Sequence, residues 1–178
     1  IVLDLSNVSP SAGGHANVVV VTNDGFGTVD YLRSIEDISG TDFADSLTGG
    51  PEDNYFAGRQ GNDVLIGNDG DDNLQGQEGD DNIVAGNGDD FLIGGPGNDT
   101  IDGGNDWDNL AYNSWTGVVN GVNVDLASNT VSDDGYGSTD TVFNIERVQG
   151  SDFDDIIAGD SADNHLLGDG GNDTLSGG

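Results

Sequence analysis

From Gly58 to Asp102 the chain repeats every nine residues: GRQGNDVLI, GNDGDDNLQ, GQEGDDNIV, AGNGDDFLI and GGPGNDTID. Gly stands at position 1 except at Ala85, Gly at position 4, Asp at position 6 and an aliphatic residue at position 8. So short a fixed period restricts the chain to a stacked architecture. One nonapeptide cannot bury its single apolar residue alone and needs a neighbour on each side.

The register runs further than the glycines do. YLRSIEDIS, GTDFADSLT and GGPEDNYFA precede the run and GGNDWDNLA closes it, so position 8 reads Ile38, Leu47, Phe56, Leu65, Leu74, Ile83, Leu92, Ile101 and Leu110. Residues 112–132 break the period; Tyr112, Trp115, Val118, Val119, Val122, Val124 and Leu126 suggest a strand-turn-strand excursion. The chain then copies itself: residues 133–177 align with 23–67 without a gap, and position 8 continues at Val148, Ile157, Leu166 and Leu175. With 33% of all residues hydrophobic, unbroken apolar occupancy of these positions would arise by chance roughly once in a million. Four stretches follow: flanking strands at 1–30, a first array at 31–111, the excursion at 112–132 and a second, truncated array at 133–178. Val2–Leu5 alternates as a strand should, and Val18–Val21 is a β-branched run.

Acidic residues number 34 against 3 basic ones, a formal net charge of -31. Such a chain repels itself at neutral pH, and low hydrophobicity with high net charge ordinarily gives disorder. The strict period argues otherwise, and divalent cations reconcile the two. This charge excludes nucleic acid and anionic membrane as direct partners. There is no Cys, so neither disulfides nor thiolate metal sites, and no apolar run is long enough to span a membrane. IVLDLSNVSP lacks the basic and apolar regions of a signal peptide; the start within a strand-like run and the end on Gly177-Gly178 read as a piece of something longer.

Positions 7–9 make a short strand with its central side chain inward, and positions 1–6 a turn. Glycine serves there because the backbone needs φ > 0 and because converging carbonyls leave no room for a Cβ. Two nonapeptides complete an 18-residue coil, so turns two repeats apart stack on one side, with strands ~4.8 Å apart. One side then stacks Glu36, Asn54, Asp72, Asp90 and Asp108, the other Asp45, Asp63, Asp81 and Asp99; the second array adds Glu146 with Asn164 and Asp155 with Asp173. Carboxylates and carbonyls at this spacing suit calcium, which takes six to eight oxygens at ~2.3–2.6 Å; magnesium demands tighter geometry and transition metals want His or Cys. Adjacent pairs make room for up to about nine ions, which would bring the charge to about -13. The pairs containing Asn54 or Asn164 lose a carboxylate and are expected to bind more weakly.

These nonapeptides, over Gly40–Ala111 and Gly150–Gly178, resemble the RTX (repeats-in-toxin) calcium-binding family of secreted bacterial proteins. SIEDISGTDFADSLTG and NIERVQGSDFDDIIAG look like that family's entry coil, with Glu replacing the first Asp. The resemblance implies an all-β, right-handed parallel β-roll, or β-solenoid, here as two roll segments with a strand-rich insertion. It implies ions held by position-6 carboxylates together with carbonyls at positions 1 and 3 of one turn and 2 and 4 of the next. In the well-formed repeats those carbonyls are expected around Gly58, Gly61, Gly67, Gly70, Gly76, Gly79, Gly86, Gly88, Gly94, Gly95 and Gly97. It further implies type I secretion unfolded and calcium-free, with folding outside the cell. The sequence departs from the pattern at Phe43, Glu52, Asp106, Phe153 and Ala162, where position 4 is not Gly.

No catalytic constellation stands out. His15 and His165 are isolated, and repeat position explains the carboxylates better than a glycosidase pair does. The glycosylation triplets at Asn7, Asn98 and Asn172 fall partly in metal turns. Trp107, Trp115, Tyr112, Tyr136 and Phe26 read as solenoid packing rather than a sugar-stacking face. The expectation is an extracellular or cell-surface, non-catalytic calcium-binding module whose only required partner is calcium. The alternatives are an accessory module of a secreted protease, lipase or alginate epimerase, or a repeat unit of an adhesin, S-layer or filament, with extracellular polysaccharide or self-association as further partners.

Overall fold

A computed structural model describes the backbone of residues 18–22 and 29–33 and all of residues 36–113 and 117–178. The strand expected at Ile1–Leu5, together with His15, Phe26 and Trp115, lies outside the described residues. The described chain is all-β apart from one 3-10 turn at Leu126–Ser128. In chain order the strands are β1 Val18–Thr22, β2 Val29–Arg33, β3 Asp37–Ser39, β4 Ser46–Thr48, β5 Tyr55–Gln60, β6 Val64–Asp69, β7 Asn73–Glu78, β8 Asn82–Asn87, β9 Phe91–Ile93, β10 Thr100–Asn105, β11 Asn109–Ala111, β12 Asn123–Asp125, β13 Thr130–Asp133, β14 Asp140–Phe143, β15 Arg147–Gln149, β16 Ile156–Ala158, β17 His165–Leu167 and β18 Thr174–Ser176.

Successive repeats alternate between two sheets, giving a parallel β-solenoid of about 18 residues per coil. One sheet runs β3-β5-β7-β9-β11-β15-β17, parallel throughout. The other holds β4, β6, β8 and β10 in parallel register, then β14, β13, β12, β16 and β18, with β1 and β2 antiparallel on its opposite edge. The two roll segments adjoin directly. β15 pairs with β11 as the next coil, placing Leu110 against Val148, and β14 pairs in parallel with β10, placing Ile101 against Val142. The excursion is accommodated within one sheet, where β12–β13 and β13–β14 are antiparallel and β12 returns to parallel pairing with β16.

The position-8 side chains form the core. Leu47, Phe56, Leu65, Leu74, Ile83, Leu92, Ile101, Leu110, Val148 and Ile157 are fully buried, and Val124 and Val131 from the excursion and Val142 from β14 continue the same column. Burial fades at the ends: Ile38 and Leu166 are half-covered and Leu175 is 45% exposed. The strands within the first array are longer than the expected three residues. β5–β8 and β10 extend through positions 1–3 because pairing continues into the turn, as between Arg59 and Gln77 and between Asn68 and Gly86.

Truncating a core residue in mid-array leaves a cavity between rigid coils. Leu74→Ala should cost about 2–5 kcal/mol, whereas Leu175→Ala at the exposed end should cost under about 1 kcal/mol. Denaturant titrations of the calcium-saturated variants check the contrast; equal losses would show that the column is not a continuous core.

Candidate metal centres

In mid-array each position-6 carboxylate does two different things with its two oxygens. One Oδ1 reaches back one coil and accepts the position-6 N–H there: Asp63 from Asp45, Asp72 from Asn54, Asp81 from Asp63 and Asp90 from Asp72, each at 2.7 Å, then Asp99 from Asp81 at 2.8 Å and Asp108 from Asp90 at 3.0 Å. The other, Oδ2, is buried without any hydrogen-bond partner in Asp63, Asp72, Asp81, Asp90, Asp99 and Asp108. A bare buried carboxylate oxygen is costly unless a cation or proton meets it. Burial first, and neighbouring carboxylates after it, push Asp63 and Asp90 up to about 6, Asp72, Asp81 and Asp108 to about 7 and Asp99 to about 8.

The glycines show where the bare oxygens point. A Cβ on Gly58, Gly67 or Gly76 would collide with Oδ2 of Asp63, Asp72 or Asp81 and lie 2.7–2.8 Å from the carbonyl oxygen of Gly76, Ala85 or Gly94, one coil on. These position-1 glycines, like Gly94, lie outside the left-handed region; they are glycine because carboxylate and carbonyl oxygens converge there. Left-handed φ belongs instead to position 4 (Gly61, Gly70, Gly79, Gly88, Gly97) and position 2, where Gly86 and Gly95 alternate with Arg59, Asn68 and Gln77. A Cβ at Gly79 would strike the carbonyl of Gly61 in the coil behind, and one at Gly97 that of Gly79. Among the described residues no three His, Asp or Glu side chains stand at metal-ligand spacing; the oxygens that converge in the array turns are position-6 carboxylates and main-chain carbonyls. That set of hard oxygens fits calcium.

Four turns are built differently. In Gly40–Asp45, Gly49–Asn54, Gly150–Asp155 and Gly159–Asn164 the position-6 side chain caps its own turn. Asp45 accepts from Thr41 N at 2.5 Å, Asn54 from Gly50 N at 3.1 Å, Asp155 from Ser151 N at 2.7 Å and Asn164 from Asp160 N at 2.8 Å. The same four carry Phe43, Glu52, Phe153 and Ala162 at position 4. The amide nitrogens of Asn54 and Asn164 are left facing inward without a partner. Asp155 has both oxygens engaged, Oδ1 accepting from Val122 N at 2.7 Å. Each array therefore opens with self-capped turns, of which that at Asp45 still buries a bare Oδ1, and the file of bare Oδ2 atoms follows. Glu36 is exposed at the edge. Glu146 continues the stack after Asp108, accepting its N–H through Oε2 at 3.0 Å, and Asp173 accepts from Asp155 N at 3.1 Å.

Two features are absent from the sequence reading above. Asp140 takes the position-6 role after Asp99, whose N–H it accepts at 3.0 Å; the signal was GYGSTDTVF, a nonapeptide isolated by the irregular spacing around it. Position 5 forms a second ladder running the other way. Asp53 accepts from Asp71 N, Asp71 from Asp89 N and Asp89 from Trp107 N, while Asn62 accepts from Asp80 N and Asp80 from Asn98 N. The Asn98 N–H donors hold Asp80 below the usual carboxylate range. The remaining predicted aromatics divide: Tyr112 is buried, whereas Trp107 is 41% exposed.

The family model for the RTX calcium-binding nonapeptide repeat, in four copies, matches residues 35–65, 58–92, 66–101, 84–114 and 147–178. These spans cover more than half of the chain, which therefore belongs to the RTX calcium-binding repeat family. A search of curated proteins gave no match.

Ala85 is the one native methyl at position 1 of the central run. Ala85→Gly should raise calcium affinity and Gly76→Ala lower it, each by about tenfold, or about 1.4 kcal/mol, as read by calorimetric titration. Without a cation, the folded chain holds protons on these raised carboxyls that the unfolded chain, with carboxyls near 3.8, releases. That stability is complete below about pH 4 and is lost as pH rises through about 6 to about 8. In chelator, residual β signal should fall from pH 5 to pH 8; in calcium, protons compete and affinity should fall as pH drops below about 7.

Proposed function

We propose that this chain is an extracellular, non-catalytic calcium-binding module whose folding is coupled to calcium after secretion. The supporting observation is the double file of buried position-6 carboxylates, each with one oxygen stitched to the neighbouring coil and one bare. Calcium on the bare oxygens removes their desolvation cost and offsets the repulsion within a chain of net charge -31. Because the same side chain holds the coil and the ion, binding free energy becomes folding free energy. In this reading Asp63, Asp72, Asp81, Asp90, Asp99 and Asp108 supply the principal ligands, with carbonyls of the turn glycines around them. Sites touching Glu36, Asp45, Asn54, Glu146, Asp155, Asn164 and Asp173 are secondary, and the total approaches about nine ions. Extracellular modules work at calcium concentrations of about 10⁻⁴–10⁻³ M, which keeps such a chain unfolded inside a cell and folds it outside.

Circular dichroism should show strong β signal in millimolar calcium and its loss in chelator at neutral pH; the same spectrum in both would overturn the coupling. Asp72→Ala or Asp81→Ala, each shared by two sites, should reduce calcium uptake by more than one ion. Asp155→Ala, whose oxygens are already engaged, should reduce it by one at most. Equal losses in calorimetry would count against the stacked arrangement.

A further inference from the structure

The two sheets end on β2 and β3 at one end of the roll and on β18 and β17 at the other. Among the described residues no strand lies beyond any of these four. The apolar column is open at the same places: Ile38 and Leu166 are half-covered and Leu175 is 45% exposed. Unpaired strand edges beside uncovered core residues are a template for another chain.

The molecule itself contains the contact that such edges make. Residues 133–177 copy 23–67 without a gap, so β14 and β15 are the counterparts of β2 and β3. Topology keeps the likeness: β14 lies beside the antiparallel β13 as β2 lies beside the antiparallel β1. β14 and β15, however, do not stand open. They seat on β10 and β11, the last two strands of the first array, with Val142 on Ile101 and Val148 on Leu110, and all four side chains are buried. Glu146 accepts the Asp108 N–H across the same joint at 3.0 Å. β2 and β3 thus carry the sequence of a face whose twin receives the end of an array, and β17 and β18 are the end of an array.

We propose that β2 and β3 of one chain receive β17 and β18 of a second copy, so that chains stack head to tail. β18 follows β17 by half a coil, as β11 follows β10, so β2 seats on β17 and β3 on β18. The second copy is turned by half a revolution, and each of its sheets continues the opposite sheet of the first. Both sheets are built of the same nonapeptide around one column, so the turn keeps the register. Carrying the inner joint over places Ile38 on Leu175 and brings Glu36, exposed in the single chain, to the Asp173 N–H. Every such contact leaves one free face at each outer end, so the assembly is open and grows as a filament. The inference rests on the calcium reading for the folding of the coils, and the test separates the two.

Sedimentation velocity in millimolar calcium is run on the unmodified chain, Ile38→Lys, Leu175→Lys, the double variant and an equimolar mixture of the two single variants, with circular dichroism on each sample. The unmodified chain should give a concentration-dependent series of oligomers. Each single variant and the double variant should stay monomeric, and the mixture should give dimers alone, because each partner supplies one intact end. A folded monomer of the unmodified chain at every concentration overturns the stacking, and so do oligomers that both single variants leave unchanged. Should the Lys variants fail to fold, Ser39→Cys and Ser176→Cys, both at exposed positions of a chain without cysteine, are mixed in calcium under oxidation. A disulfide between positions 39 and 176 of two chains is expected; homodimers alone, or none, overturn the proposal. A chain that stays unfolded in calcium overturns the array reading and this inference with it, whereas a folded monomer overturns the stacking alone.

Discussion

The structure depends on a carboxylate whose two oxygens serve different masters. One Oδ1 accepts a main-chain N–H from the coil behind, so the position-6 side chain is part of the backbone's own bonding scheme. The other is thereby carried inside, where it cannot reach water or any protein donor. Replacing the carboxylate with an apolar residue would strand the N–H of the previous coil; keeping it strands an oxygen. A cation is the solution that satisfies both. The period of 18, the missing side chain at position 1 and the hard-oxygen composition of the sites all follow from that one conflict.

The core alone gives little margin. One fully buried aliphatic residue per nonapeptide, such as Leu65 or Ile83, forms a column one side chain wide. Six residues of turn must be ordered for each, at roughly 1–2 kcal/mol per residue of backbone entropy. The self-capped turns at Asp45, Asn54, Asp155 and Asn164 fit this picture, for they stand where each array begins and hold themselves in part through an internal N–H. An array that opens on such turns has an edge on which further coils can add.

Much of this was legible in the sequence because its period equals the structural one. Position 8 names the core almost completely, and position 6 names the carboxylates that stack. Two kinds of information were not local. The pairing of β11 with β15 spans the whole excursion, and nothing in residues 112–132 announces that Glu146 follows Asp108 as the next rung. Asp140 and Val142 sit in a good nonapeptide, yet Val148 follows Val142 after six residues instead of nine, which hides the register. The role of position-1 glycine was misassigned in part: φ > 0 is demanded at positions 2 and 4, whereas Gly58 and Gly76 yield space to an oxygen from their own turn and a carbonyl from the next coil. A glycine at position 4 avoids the carbonyl of the coil behind, as Gly61 avoids Phe43 and Gly70 avoids Glu52.

Adjacent residues of one turn tie the coil in opposite directions. At position 6, Asp81 accepts from Asp63 N in the coil behind; at position 5, Asp80 accepts from Asn98 N in the coil ahead. A single coil thus has half its polar partners on each neighbour and cannot satisfy itself in isolation. The position-5 bonds lie in solvent and exchange readily with water, so they bias register without committing the chain. The position-6 bonds are buried and carry the bare oxygen with them, so completing them creates the demand for an ion. The outer ladder ties each coil to the one ahead and the inner one to the coil behind, and only the inner one carries buried bare oxygens with it. Neighbouring turns therefore share the carboxylates on which an ion would bear, as expected of a stack whose repeats depend on their nearest neighbours.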